Sequence, residues 1–220
     1  MTESNHRTPL ISLQGVTFNY PGRPAILKAL DFELFQGDRV GLVAPNGSGK
    51  TTLFNIIMGL MKPCAGALHM FGRPVRREQD FIAVRQRIGL LFQDADDQLF
   101  SPTVLEDVAF GPLNLGKSHE EAETIARRTL ARLGLEGFEE RITFRLSGGE
   151  KRLVSLATIL AMEPEVLLLD EPTTGLDDQT RHTLTHLIDG FDLTYVLISH
   201  NARFLSATTD KTYFMEDGRI

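Results

Sequence analysis

The sequence predicts an α/β fold: a three-layer core of parallel strands and helices, with an antiparallel β subdomain on its N-terminal side and an inserted α-helical subdomain. Three observations carry this. The runs "RIGLLFQ" (87–93), "EVLLLDEP" (165–172) and "TYVLISH" (194–200) are continuously apolar, the pattern of strands buried on both faces of a parallel sheet. Between them, residues 119–134 and 147–162 place apolar residues at helical spacing, and strands alternating with helices build three layers. The opening third instead offers short β-rich runs broken by glycine and proline, as a small, partly antiparallel sheet requires.

In chain order, "LISLQGVTFNY" (10–20), "ALDFELFQGD" (29–38) and "RVGLVA" (39–44) are the strands of that small sheet. Residues 49–60 read as a helix that begins inside a glycine loop. Gly134 and Pro164 stop the two later helices. The interval 94–162 is richer in helix and reads as an insertion. No linker-like composition separates the pieces, so residues 1–220 form one domain in two parts, about 10–93 with 163–220, and about 94–162. "TYFMEDGRI" supplies the final strand.

A hydrophobic fraction of 42% can fill a sizeable core. The formal charge of −6 argues against nucleic acid as a partner, since that function favours a basic surface. The basic run "RPVRREQDFIAVRQR" (73–87) is diluted by Glu78 and Asp80 and reads as a solvated face. Cys64 is the single cysteine, which excludes an intrachain disulfide and suggests a reducing compartment. "MTESNHRTPL" lacks the charged and apolar regions of a secretory signal. "LVSLATILAM" is far short of the ~20 residues that span a bilayer, so a soluble protein is expected, reaching a membrane only through a partner.

The stretch "LVAPNGSGKTTL" (42–53) fills the phosphate-loop pattern G-x-x-x-x-G-K-[ST] at Gly49, Lys50 and Thr51, with Ala44 in the first position. A strand precedes it and a helix follows, the context the motif needs. Gly47 and Gly49 let backbone N–H groups face phosphate oxygens, and the helix N-terminus adds positive potential. Asn46, Ser48 and Thr52 belong to the same nucleotide-binding set. Lys50 would reach the β- and γ-phosphates, and the Thr51 hydroxyl would ligate Mg²⁺. The bland alternative is a glycine turn with a solvated lysine; the flanking strand and helix favour the phosphate loop. Ala44 adds only a methyl group, which matters if that residue needs φ > 0.

"VLLLDE" ends a buried strand on Asp170 and Glu171. Asp170 can hold Mg²⁺, and Glu171 can orient or deprotonate an attacking water. Acidic pairs are common in loops, but here the pair lies downstream of a phosphate loop, with "PTTGLD" after it. In "RLSGGEKR" (145–152), Ser147 and Glu150 form a capping box that starts a helix. The same exposed N-terminus, with Ser147, Gly148 and Gly149, can present donors to a phosphate.

"LSGGE" about twenty residues ahead of "LLLDEP", then "GLD" and His200, resembles the ATP-binding cassette of ABC transporters along essentially residues 10–220. The resemblance implies a P-loop NTPase (RecA-like) core, ATP and Mg²⁺ as cofactors, and Mg-dependent ATP hydrolysis. It also implies a head-to-tail dimer, each ATP lying between one phosphate loop and the other subunit's "LSGGE". By the same resemblance Tyr20 in "FNYPG" stacks on adenine, the alternative being a buried core tyrosine. Gln93 is the loop glutamine touching Mg²⁺ and water, Asp177 the dimer-interface aspartate, and His200 the histidine contacting the γ-phosphate. Glu150 stands where the family more often has glutamine. That puts a carboxylate near the partner's nucleotide, a modest cost to binding that its capping role offsets.

"FQDADDQLFSPTVLEDVAFGPLNLG" (92–116) is similar to the ATPase subunits of energy-coupling-factor importers, especially the cobalt and nickel type. The similarity implies a transmembrane coupling subunit and a substrate-binding membrane subunit as partners, with a homodimer or heterodimer of ATPases. It implies a place at the cytoplasmic face of the cell membrane and sets Leu99 and Phe100 beside the docking groove. A vitamin-type importer or another ABC transporter is the alternative. A soluble cassette acting on ribosomes or DNA usually carries two cassettes or a long coiled coil, and this acidic chain has one cassette and no heptad tract. Asp94, Asp96 and Asp97 read as a solvated acidic loop without a ligand cage. His182 and His186, at i and i+4, could pair on a metal but have no third ligand nearby. The cargo ion is therefore not sought in this subunit. Importers of this type often extend beyond the cassette, and a chain stopping at "TYFMEDGRI" is expected to have less subunit contact without ATP or the membrane partner.

Overall fold

The computed structural model describes residues 7–220, so the reading of "MTESNHRTPL" as no secretory signal falls largely outside the described residues. The strands are β1 (Ile11–Asn19), β2 (Ala25–Leu34), β3 (Arg39–Val43), β4 (Ala65–Met70), β5 (Arg73–Pro74), β6 (Ile88–Leu91), β7 (Val166–Asp170), β8 (Thr194–Ile198) and β9 (Lys211–Phe214). The α-helices are α1 (Lys50–Ile57), α2 (Glu78–Arg85), α3 (Val104–Asn114), α4 (His119–Arg132), α5 (Gly148–Leu160), α6 (Asp178–Asp189) and α7 (Ala202–Thr208). Two sheets result. An antiparallel one runs β2-β1-β4-β5, and a parallel one runs β6-β7-β8-β3-β9.

The apolar runs at β6, β7 and β8 are buried at every residue. Their alternate side chains serve two cores. Val166 and Leu168 pack with the antiparallel sheet and α1, whereas Leu167 and Leu169 pack with α3, α4 and α5. Each such leucine contributes about 2 kcal/mol by leaving water, and the two faces make the three layers of an α/β fold. Helix starts follow the side chains that cap them. Thr103 with Glu106, Ser118 with Glu121, and Ser147 with Glu150 each form a reciprocal capping box.

Two expectations need correction. "RVGLVA" does not join the small antiparallel sheet: β3 lies inside the parallel sheet, between β8 and β9. Its buried, non-alternating pattern belongs with parallel strands. The second strand begins at Ala25 rather than 29 and ends at Leu34. Residues 35–38 form a turn, closed by Asp38 N–H to Phe35 O at 3.0 Å and Phe35 N–H to Asp38 Oδ2 at 3.1 Å. Among the described residues no helix is long and apolar enough to cross a membrane.

Candidate active site

The loop after β3 turns on two glycines with φ values of 77° at Gly47 and 103° at Gly49, a region that strains any residue with a Cβ. A Cβ at Gly49 would also meet Leu27 Cδ2 at 2.9 Å. Ala44 has no such need. Its φ is not positive, its methyl is buried among core residues, and its carbonyl accepts Lys50 Nζ at 2.6 Å. Alanine is therefore compatible with this loop. We expect Ala44→Gly to leave Mg-ATP affinity within about threefold by calorimetry while lowering stability by ~0.5–1 kcal/mol in denaturant melts.

Lys50 opens α1 and folds back over the loop, also donating to Pro45 O at 3.0 Å. Burial pulls its ammonium below the ordinary lysine value, and Glu171 and Asp170 push it partly back. Thr51 Oγ1 donates to Asp170 Oδ2 at 2.7 Å, tying the first turn of α1 to the end of β7. Burial raises the Asp170 carboxyl above the usual aspartate range against the Thr51 bond, which lowers it. Next to it, Glu171 has φ 45° and accepts from Thr174 Oγ1 at 3.2 Å through Oε2. Its Oε1 lies 3.3 Å from His200 Nε2 but is buried without hydrogen-bond geometry to any partner. His200 Nε2 is also 3.5 Å from Lys50 Nζ.

A cavity of about 530 Å³ gathers Tyr20, Asn46, Gly47, Gly49, Lys50, Thr51, Thr52, Gln93, Asp170, Glu171 and His200. Residues from five separated segments thus face one space. Tyr20 is half-buried, its hydroxyl 2.9 Å from Thr52 Oγ1 and its ring edge-on to Phe18. Two buried polar atoms, Glu171 Oε1 in the cavity wall and Ser48 Oγ in the glycine loop, have no protein hydrogen-bond partner, although Ser48 itself does not line the cavity. Such atoms are costly unless something satisfies them. Phosphate oxygens and a water would, so the residues fit a Mg-nucleotide.

The other expected residues lie outside that cavity. Ser147 is exposed and caps α5, and its N–H to Glu150 Oε2 bond holds that carboxyl below the usual glutamate range. Arg141 pairs with the same carboxylate at 2.8 Å, so Glu150 does not present a bare negative charge. Gly148 lines a neighbouring trough with Gln93 and Asp94, and Gly149 packs against Thr180. Asp177 caps α6 by accepting Thr180 N–H at 2.9 Å and Thr180 Oγ1 at 2.7 Å. His182 and His186 are both exposed on α6.

Sequence reasoning missed three neighbours. Arg152 is 4% exposed, and its guanidinium donates to Phe92 O at 2.5 Å and to Gln93 O. Gln98 bridges Phe92 N–H to Ser155 O and Thr158 Oγ1. Thr174 holds Glu171. Arg152 directly follows Glu150 and Lys151 at the start of its helix and reads there as one more solvated charge; Gln98 and Thr174 gave no signal either.

The family described as ABC transporter matches residues 27–174. A protein of Nitratidesulfovibrio vulgaris, described only as a candidate ABC transporter ATP-binding protein, is 52% identical over 213 residues, covering 96% of this chain and 78% of its own. An energy-coupling factor transporter ATP-binding protein of Methanocaldococcus jannaschii is 41% identical over 215 residues, 96% of this chain and 77% of that one. Among solved structures, cbiO1 from Clostridium perfringens, part of the ABC transporter complex cbiONQ, superposes with TM-score 0.85 at 31% identity, covering 96% of this chain and 86% of that one. A dimeric ATP-binding cassette in a post-hydrolysis state with ADP and Pi also gives 0.85, at 27% identity and 96% of both chains.

Proposed function

The chain belongs to the ABC transporter family as an ATP-hydrolysing cassette, and from that premise we propose that it powers an energy-coupling-factor importer whose cargo is cobalt or nickel. The observation that carries this is the 92–116 segment, read together with likeness to an energy-coupling factor ATPase and to cbiO1. The N. vulgaris relative carries no cargo in its description, which keeps a vitamin-type importer or another ABC transporter as the second reading. In this proposal the chain works at the cytoplasmic face of the membrane, held by a transmembrane coupling subunit and a substrate-binding subunit.

The proposed chemistry follows the geometry. Lys50 turns from the Ala44 and Pro45 carbonyls to the β- and γ-phosphates, gaining the negative partner its buried ammonium lacks. Thr51, Asp170 and Gln93 would hold Mg²⁺, which would draw electron density from the phosphate oxygens. Glu171 takes a proton from the attacking water, with Thr174 holding its carboxylate and His200 contacting the γ-phosphate. Tyr20 packs the base. Ser147, Gly148 and Gly149, at the exposed N-terminus of α5, reach the nucleotide of a second subunit in this proposal; a similar cassette is dimeric with ADP and Pi.

Docking of the membrane subunit is assigned to the proposed helical part, residues 94–162. Phe100 is 67% exposed and stacks edge-on with Phe110, itself 47% exposed, with centroids 4.8 Å apart. Leu99 is half-buried and packed on the helical core, so changing it would also disturb the fold. Phe100→Ser with Phe110→Ser is therefore the cleaner variant. It should lower co-purification with the membrane subunit at least ~10-fold, since buried aromatics act as interface anchors, and leave nucleotide affinity near the parental value. Equal loss of both would assign these rings to the cassette's own stability. Co-expression with a coupling subunit and a substrate-binding subunit of a cobalt or nickel importer, followed by uptake of each ion, tests the cargo.

A further inference from the structure

A second cavity, of about 590 Å³, lies away from the active site, between the chain after α1, strands β4 and β5, and the start of α2. That volume suits a small ligand. Its floor is apolar, with Met61, Leu68, Val75 and Phe81. Its rim carries the cations Lys62, Arg76 and Arg77, against the one acid Glu78, and His69 stands in the wall. Glu78 is already engaged by Arg85, at 2.5 and 3.0 Å. Asp80, close by, accepts from the backbone N–H groups of Arg76 and Arg77 and reaches Arg77's guanidinium only at 3.9 Å. Among the described residues, Lys62 and Arg76 make no ion pair. His69 Nδ1 is buried in the cavity wall without a hydrogen-bond partner. A chain of net charge −6 has thus concentrated unspent cations over an apolar pocket. Charges beyond a Debye length of about 10 Å at ~0.1 M salt are screened, so this local field decides what approaches.

The rim has a further feature. Leu60 and Ile82, each next in sequence to a lining residue, are both 54% exposed. Cations beside exposed aliphatic side chains form a surface suited to a membrane interface, where apolar groups enter the acyl boundary and cations meet headgroups. We propose that this cavity binds the phosphate headgroup of an anionic lipid, with Lys62, Arg76 and Arg77 on the phosphate and the apolar floor under the glycerol and upper acyl chain. The basic run that reads as a solvated face in the sequence then becomes a lipid contact. The site stands independently of the cargo or membrane subunit proposed above, because it uses only this chain's residues.

The chain contains no tryptophan, so Leu60→Trp gives a single fluorescent reporter at the rim. Titration of the full chain with phosphatidylglycerol vesicles should blue-shift its emission, and brominated acyl chains should quench it. Phosphatidylcholine vesicles should do neither. Lys62→Gln with Arg76→Gln and Arg77→Gln should weaken binding roughly 10²-fold, each basic residue near an anionic surface being worth about fivefold. The equal charge removal Arg127→Gln, Arg128→Gln and Arg132→Gln on α4 should change it less than about threefold. Equal effects from the two triples would overturn the site in favour of diffuse charge. Absence of binding to phosphatidylglycerol, or equal binding to both lipids, would overturn it outright. Displacement by millimolar inorganic phosphate would make it a free-anion site and overturn the lipid assignment.

Discussion

Glu171→Gln is expected to bind Mg-ATP and fail to turn it over, with hydrolysis down by ~10²–10⁴, the usual range for loss of a general base. Glutamine keeps the size of the side chain, and its amide can face both Thr174 Oγ1 and His200 Nε2, the two groups that flank the carboxylate. Only the capacity to accept the water's proton is lost. Under the proposed shared site, ATP contacts two subunits at once, so its differential affinity shifts the population toward a closed pair. With hydrolysis blocked that shift persists. Size exclusion with ATP should show a dimer, and with ADP a monomer, because the γ-phosphate is what Ser147 and His200 are proposed to grip. A variant hydrolysing at the parental rate would remove Glu171 from the chemistry. One that is inactive, ATP-bound and monomeric would undermine the shared site while leaving the base in place.

Lys50→Ala should abolish saturable Mg-ATP binding at millimolar nucleotide. The lysine offers the buried cation closest to the proposed β/γ position, and charge-assisted hydrogen bonds contribute about 1.5–3 kcal/mol each. Two such bonds correspond to a loss of roughly 10²–10⁴ in affinity. The substitution also frees the Ala44 and Pro45 carbonyls. Lys50→Met, which restores most of the volume, controls for loop collapse and should bind no better. Calorimetry beside a thermal melt separates the cases: saturable binding by either variant with an intact fold would show that Lys50 is not the phosphate anchor.

Much of this arrangement was legible because local chemistry wrote it. The capping box at Ser147 is a signal within four residues, and the apolar runs of β6, β7 and β8 need no knowledge of partners. Sheet membership is not local. β3 reads as one more short strand, and only its pairing with β8 and β9 puts it in the parallel sheet. Helix α3 was hidden by Gly111 and Pro112, which its last turn accommodates. In the active site, every residue that a motif names was visible. Arg152 and Gln98 were not assigned because they act across some sixty residues, Arg152 on the Phe92 and Gln93 carbonyls and Gln98 on the Ser155 carbonyl and Thr158 hydroxyl, and such distant partners leave no mark in the local sequence.

The place of β3 between β8 and β9 also has a consequence during synthesis. The strand that launches the phosphate loop leaves the ribosome with neither neighbour made; β8 follows about 150 residues later, which at about 5–20 residues per second is ~8–30 s. Until then its apolar residues have no sheet to enter and belong to the surfaces that nascent-chain chaperones cover. A translation-arrested chain ending near Glu171 would hold the phosphate loop, the "LSGGE" segment and both carboxylates and still have no fixed floor for a nucleotide. ATP thus cannot guide the early steps of folding; it can stabilise only a chain whose last strands have already closed around the first.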